Sequence, residues 1–326
     1  MAQDELSCRM IQVSNLAYKI KYGQPVSEQS QEVRTAIGQI GLIADTLKSV
    51  EIGTDACAFA ETDAVAILFF RGTLPPWLIL HDNKLFLKVV KDWLDDANIL
   101  LVKGQNLPGR VHNGFLNSLD ALWSHIEDFT AGTGKPLHVT GHSKGGGLTF
   151  LASYRLAKIG RKPSAVHTFA APRVGDSAFA TAYNAELPQT HRVEYRDDLV
   201  PHLPASIGAW LKILEGYRLV HELFPSEAPH LQINSEIAKG FEDIIERLKA
   251  LLDLGLDYTS AGTLQFLDWN SPPKVLPDSY DLTWQRALSL AGKMAEFRFI
   301  EIIEDHLSDG GYLTSMCSSG PSGLTA

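Results

Sequence analysis

Gly141-His142-Ser143-Lys144-Gly145 follows the apolar run Leu137 to Thr140 and precedes Gly146 to Ile159. The run has the composition of a buried strand. The stretch after the pentapeptide reads as a helix with Leu148, Leu151, Ala152 and Leu156 on one face. A serine flanked by glycines between a strand and a helix describes a nucleophile elbow. The turn is so sharp that the serine backbone is strained, and side chains at the two glycine positions would collide with the adjoining strand and helix. The serine oxygen is left exposed above a sheet. The amide of Lys144, at the helix start, points to the same place, where an oxyanion would be stabilised. The five-residue pattern also occurs in ordinary glycine-rich turns, so its weight comes from the flanking elements and from motifs elsewhere in the chain.

Outward from the elbow, strand-like and helix-like stretches alternate. Ser118 to Phe129 reads as a helix before the elbow strand, and Ala165 to Ala170 and His191 to Arg196 read as strands after it. Such alternation implies a largely parallel central sheet flanked by helices. Toward the N-terminus, residues 4–22 and 27–49 read as two helices, with Ser27 as an N-cap, and Ala56 to Glu61 and Ala64 to Phe70 as a hairpin. Asn98 to Val102 is a further strand candidate. Beyond Pro204 the pattern becomes helical. Ser235 to Leu254 carries Ile237, Phe241, Ile244, Leu248, Leu251 and Leu252 at helical spacing. Tyr258 to Leu267 returns to strand composition, and Leu282 to Asp305 is helical. The expected architecture is a single α/β-hydrolase-like domain over residues 1–326. It has a helical insertion or cap over about 207–257 and a loose Ser- and Gly-rich tail over 316–326.

Composition narrows the class. With 45% hydrophobic and 21% charged residues, a chain of 326 residues can bury a substantial core. A formal charge of −9 argues against nucleic acid as a partner. The three cysteines, Cys8, Cys57 and Cys317, are far apart and include no C-x-x-C, so neither a disulfide framework nor a zinc site is expected. Unpaired thiols fit a reducing compartment. No apolar run approaches the ~20 residues that span a bilayer, and residues 1–22 lack the apolar core of a signal peptide. The default location is the cytoplasm, with export by a route lacking a cleaved signal left open. No metal or organic cofactor is implied.

A serine elbow needs a base and a group that orients the base, here in the order nucleophile, acid, histidine. Asp197-Asp198 leaves a strand for a turn, on the sheet edge that carries the elbow. Near the C-terminus, Asp305-His306 ends a helix before a Gly-rich loop. Of the eleven histidines, His142 adjoins the nucleophile and reads as packed under the elbow. His112 reads as a hydrogen-bonded core residue, and His202 follows the acid too closely to serve as base.

Phe70-Arg71-Gly72-Thr73, Val111-His112-Asn113-Gly114-Phe115, the elbow, residues Phe169 to Asp176 and Asp198-Leu199-Val200-Pro201 occur in one order. In this the chain resembles the class 3 (fungal-type) lipases. The resemblance spans residues 56–204 and resumes at 258–267 and around His306. It implies a serine ester hydrolase acting on acyl esters of lipids, with Ser143 as nucleophile, Asp198 as acid and His306 as base. By the same resemblance Thr73 completes the oxyanion hole beside the Lys144 amide. The apolar segment after it, with Trp77, Leu78 and Leu80, forms a lid that makes transient contact with a lipid surface. Phospholipase and small-ester esterase activities stay open, as does a non-catalytic lipase-like interaction protein. Asp197 reads as a solvated neighbour of the acid. Three features depart from the family: Lys144 stands where an apolar residue is usual, the block 207–257 is longer than the usual connection, and neither a secretion signal nor disulfides are expected. The Lys144 side chain has two readings, one reaching solvent and the other favouring an anionic headgroup or the oxyanion.

Overall fold

Ten strands form two sheets among the residues that the computed structural model describes, which are 3–73, 100–204, 257–270, 274–295 and 298–317. Helices α1 (Gln3–Leu16) and α2 (Gln31–Ile40) lead into β1 (Ile43–Ile52), β2 (Asp55–Glu61) and β3 (Ala66–Phe70). A separate two-stranded ribbon is made by β4 (Leu101–Val102) and β5 (Val111–His112). Then come α3 (Asn113–Ala131), β6 (Leu137–His142), α4 (Lys144–Lys158), β7 (Ala165–Phe169), α5 (Ser177–Glu186) and β8 (Thr190–Tyr195). The remaining elements are β9 (Thr263–Leu267), β10 (Val275–Leu276), α6 (Tyr280–Ala295), α7 (Phe299–His306) and α8 (Leu313–Met316).

The large sheet has the order β1-β2-β3-β6-β7-β8-β9-β10. Its centre, β3 to β9, is parallel, and the flanking pairs at each end are antiparallel. Parallel strands need crossover helices, which cover both faces, so β3 (Ala-Ile-Leu-Phe-Phe) is apolar and buried throughout. One face packs Phe70, Phe115, Leu119, Val139, Leu148, Leu151 and Tyr183 with α3, α4 and α5. The other packs Ile67, Phe69, Phe169, Val193 and Tyr312 under Met10, Ile11 and Val13 of α1. Register puts Phe70 opposite Gly141 and His142 opposite Phe169, so β3, β6 and β7 end level with one another. This level edge carries the elbow.

Two sequence expectations are corrected here. The helix expected over 27–49 is half helix and half strand. Ser30 caps α2 by accepting from the Val33 amide, and Gly41, at φ 79°, ends it. The next residues pair with β2 from Ile43↔Glu61 to Ile52↔Asp55, with a bulge between Ile43 and Lys48. Cross-strand packing outweighs the helix propensity of Ala44 and Leu47.

The second correction concerns the cysteines. Cys8 on α1 and Cys317 after α8 form a disulfide with Cα atoms 4.9 Å apart. The expected loose tail is therefore anchored at its start, and Met316 and Cys317 pack against the α1 face of the core. Cys57 is a free, buried thiol, pushed up to about 12 by burial. The helical block expected over 207–257 lies outside the described residues except for Asp257. Among the described residues, no helix is long and apolar enough to cross a membrane.

The disulfide joins residues 309 positions apart, so it removes a large loop from the unfolded ensemble. Cys8→Ser is expected to lower stability by about 2–4 kcal/mol in urea unfolding. Dithiothreitol should lower the parent to the same midpoint and leave the variant unchanged.

Candidate active site

Ser143 occupies the turn between β6 and α4 with φ 57° and ψ −129°, a left-handed φ that a side-chain-bearing residue rarely adopts. Its amide donates to the Phe169 carbonyl at 2.9 Å, which fixes the turn against β7. A Cβ on Gly141 would lie 2.3 Å from the Gly145 carbonyl oxygen, and one on Gly145 would lie 2.4 Å from that of Phe70. Both positions exclude any larger residue. Ser143 stands at the N-cap of α4 without a side-chain capping bond. Its hydroxyl is instead 3.0 Å from Nε2 of His306.

His306, the last residue of α7, places Nδ1 2.9 Å and 3.0 Å from the two carboxylate oxygens of Asp198. Asp198 lies in the turn after β8 and is 1% exposed. Its Oδ1 also accepts from the Val200 amide at 2.9 Å, and its Oδ2 accepts from the Tyr312 hydroxyl at 2.7 Å. Tyr312 in turn accepts from the Tyr195 amide at 3.0 Å. Burial, and then the neighbouring Asp198 charge, push the Tyr312 hydroxyl well above its ordinary range, so it remains a donor. The structure thus brings Ser143, His306 and Asp198 into one hydrogen-bonded line. Tyr312 was missed at the sequence level, where it is only an aromatic residue beyond a Gly-rich loop.

His142 packs under the elbow as expected, and it also makes specific bonds. One ring nitrogen, Nε2, lies 2.8 Å from the His306 carbonyl, which only accepts, so Nε2 carries the proton. Nδ1 then accepts from the Tyr18 hydroxyl at 2.9 Å. Burial, and then His306, hold His142 well below its ordinary range, so it stays neutral. His112 has a more definite role than a core residue, because its Nδ1 caps α3 by accepting from the Gly114 and Phe115 amides. His202 sits apart with the buried arginines: its Nε2 accepts from Arg286, which also pairs with Glu194.

The side chain of Lys144 adopts neither of its expected readings. Its Nζ is 2.5 Å from Asp55 at the start of β2, and the pair is largely buried. Its charge is compensated and its amide remains at the N-terminus of α4. Thr73 is exposed just beyond β3. The preceding Arg71 is 6% exposed and ties this loop to the β1–β2 hairpin. It bonds Glu51 at 2.6 Å and the Thr54 carbonyl at 3.2 Å, and lies over the Tyr22 ring. Gly72 permits close approach, since a Cβ there would lie 2.1 Å from the Tyr18 hydroxyl. Trp77, Leu78 and Leu80 lie outside the described residues.

Asp197 is not a solvated carboxylate. It is 2% exposed, accepts from the Trp269 indole at 3.0 Å and lies 2.8 Å from Lys293. Its side chain points away from the triad because successive residues of the turn diverge. A lone sequence offers no signal of a partner so far along the chain. Among the described residues, no group of three or more His, Cys, Asp or Glu side chains is arranged to hold a metal ion.

A largely parallel sheet with a strained serine elbow at its edge, flanked by helices on both faces, is the arrangement of an α/β-hydrolase-like fold. Residues 87–207 match the family model described as Lipase (class 3), and over that segment the chain is similar to that family. A Caenorhabditis elegans protein named as a lipase is 34% identical over 105 residues, 30% of each chain. The Secreted mono- and diacylglycerol lipase 1 of Fusarium solani is 33% identical over 135 residues, 40% of this chain and 38% of that one. The chain therefore spans about a third of the length of these curated relatives. Native Rhizomucor miehei lipase in its propeptide complex superposes with a TM-score of 0.54 at 19% identity, covering 97% of this chain and 83% of the other. The mono- and diacylglycerol lipase from Aspergillus oryzae gives 0.56 at 16% identity, with 85% and 87% covered. At these identities the likeness to solved structures is one of fold.

Tyr312→Phe removes the donor to Asp198 and leaves the buried Tyr195 amide without its acceptor. A cost of about 1–3 kcal/mol in thermal or urea unfolding is expected. Tyr18→Phe, which leaves a ring nitrogen of His142 unpaired, is expected to cost a similar amount.

Proposed function

We propose that the protein is a serine ester hydrolase that cleaves acyl esters of lipids through an acyl-enzyme. The observation that carries this reading is the line from Ser143 Oγ through the two ring nitrogens of His306 to Asp198, with distances of 3.0 Å and 2.9 Å. Ser143 attacks the acyl carbonyl and His306 takes its proton on Nε2. Asp198 holds Nδ1–H, which fixes the tautomer and stabilises the imidazolium. The proton passes to the departing alcohol. Water then repeats the sequence on the acyl-enzyme. The Lys144 amide, at the positive end of α4, and the Thr73 amide and hydroxyl hold the tetrahedral oxygen. The names of two similar proteins, both mono- and diacylglycerol lipases, support the substrate class. Trp77, Leu78 and Leu80 are assigned to a lid on the sequence reading alone. An acylglycerol is the preferred substrate, ahead of a phospholipid or a small ester. The Cys8–Cys317 bond favours an oxidising compartment over the cytoplasm that the sequence alone suggests.

Ser143→Ala is expected to abolish both hydrolysis of p-nitrophenyl esters and fluorophosphonate labelling. Asp198→Asn should lower kcat by about 10⁴, as in other triads. Across p-nitrophenyl esters from acetate to palmitate, kcat/KM should rise toward medium or long chains. A maximum at acetate would replace the lipid reading with a small-ester one, and labelling that survives in folded Ser143→Ala would move the nucleophile elsewhere.

A further inference from the structure

Asp198 and His306 come from elements 108 residues apart in the chain. Each is preceded by an aspartate, Asp197 and Asp305, that faces away from the serine. Lys293 of α6 lies between those two carboxylates, with Nζ 2.8 Å from each. The Asp197 amide donates to Asp305 at 3.3 Å, and the Trp269 indole holds Asp197 from the far side. The lysine side chain is 12% exposed and the side chains of Asp197 and Asp305 are 0% and 9% exposed. Burial alone would drive Lys293 to lose its proton, but its bonds to Asp197 and Asp305 outweigh that and hold it above its ordinary value. Burial pushes Asp305 up in spite of Lys293.

We propose that Lys293 is a positioning residue for the proton relay: by bridging Asp197 and Asp305 it fixes the two main-chain segments that present Asp198 and His306 to each other. This rests on the reading of Ser143, Asp198 and His306 as a hydrolytic triad. A buried ion triad adds little stability beyond what packed apolar side chains would give. Its distinctive product is directional. Two short bonds from one ammonium fix the spacing of residues 197 and 305, and with it that of their neighbours. Functional groups must hold their places to within about 0.5 Å. The His306–Asp198 bond changes character as His306 gains and loses its proton. The Lys293 bridge does not take part in that exchange, so it keeps the spacing constant through the cycle.

The bridge also sets the charge around His306. The His306 ring meets Asp198 and Ser143, while Asp197 and Asp305 meet Lys293 behind that pair. His142 under the elbow and the Tyr312 hydroxyl complete the surroundings. Removing Lys293 leaves Asp197 and Asp305 uncompensated. A variant that also neutralises one carboxylate therefore separates the loss of the bridge from the change of charge.

The test compares Lys293→Met with the charge-matched pair Lys293→Gln/Asp305→Asn, in the full-length chain. Lys293 with Asp197 and Asp305 carries a charge of −1, and the pair keeps that value while removing the bridge; Glu301, 3.8 Å from Lys293 and paired with Arg298, is the same in every variant. Lys293→Met is expected to lower kcat for a p-nitrophenyl ester about ten- to a hundredfold with KM within about twofold. In the charge-matched pair kcat should stay low, because the charge is restored and the bridge is not. A folded Lys293→Met protein with parental kcat, or full recovery of kcat in the charge-matched pair, overturns the proposal. If Lys293→Met does not fold, the charge-matched pair decides alone. Failure of the triad reading shows separately, as absence of hydrolysis and fluorophosphonate labelling in the parent. The bridge is then read from the downfield Nδ1 proton of His306 by NMR, which should broaden or vanish in the charge-matched pair. An unchanged resonance there overturns the proposal.

Discussion

The close approach of α4 to the end of β3 is the constraint on which the site depends. Gly145 lies against the Phe70 carbonyl with no room for a Cβ, and Gly141 lies equally close to Gly145. These two contacts force the chain through the Ser143 turn and bring the start of α4 beside the loop that begins at Arg71. The strain at Ser143 persists because the structure around it holds from several sides. The Phe169 carbonyl takes its amide, β3 and β7 flank its strand, and a buried apolar core lies on each face of the sheet. Without that approach the nucleophile and both proposed oxyanion donors would not share one edge.

Around this edge the fold uses buried polar groups as struts. His142 joins Tyr18 on the N-terminal side to the His306 carbonyl on the C-terminal side. Tyr312 joins Asp198 to the end of β8, and Ser308 reaches Asn15 of α1 at 2.5 Å. Each is costly to bury alone and acceptable only because both ends are satisfied. The β1–β2 hairpin serves in the same way on the other side, where Glu51 and Asp55 hold Arg71 and Lys144.

What was legible in the sequence is what is encoded locally. The elbow and the largely parallel sheet follow from short patterns whose backbone geometry the residues themselves dictate, and the roles of Ser143, Asp198 and His306 came from the resemblance to the class 3 lipases. What escaped depends on pairing over long stretches of chain. β1 was read as helix because its residues tolerate either state and its partner strand decides. Gly41, as a left-handed helix terminator, was the one local sign available. The Cys8–Cys317 bond, the burial of Asp197 by Lys293 and the tie from Lys144 to Asp55 join residues separated by 309, 96 and 89 positions. No periodicity reports such partners. Asp197 and Lys144 were placed in solvent or at a ligand for want of a visible counter-ion.

The chain closes on itself, since α1 is buried beneath residues that follow His306 and is bonded to Cys317. This has a consequence during synthesis. A ribosome-bound chain can build the elbow, the parallel strands and the acid turn while it lacks the base, the Tyr312 strut and the cover over the Met10–Val13 face of α1. The proposed triad is therefore incomplete until almost the whole described chain has emerged. Among the described elements, α1 stays uncovered until α8 has been made.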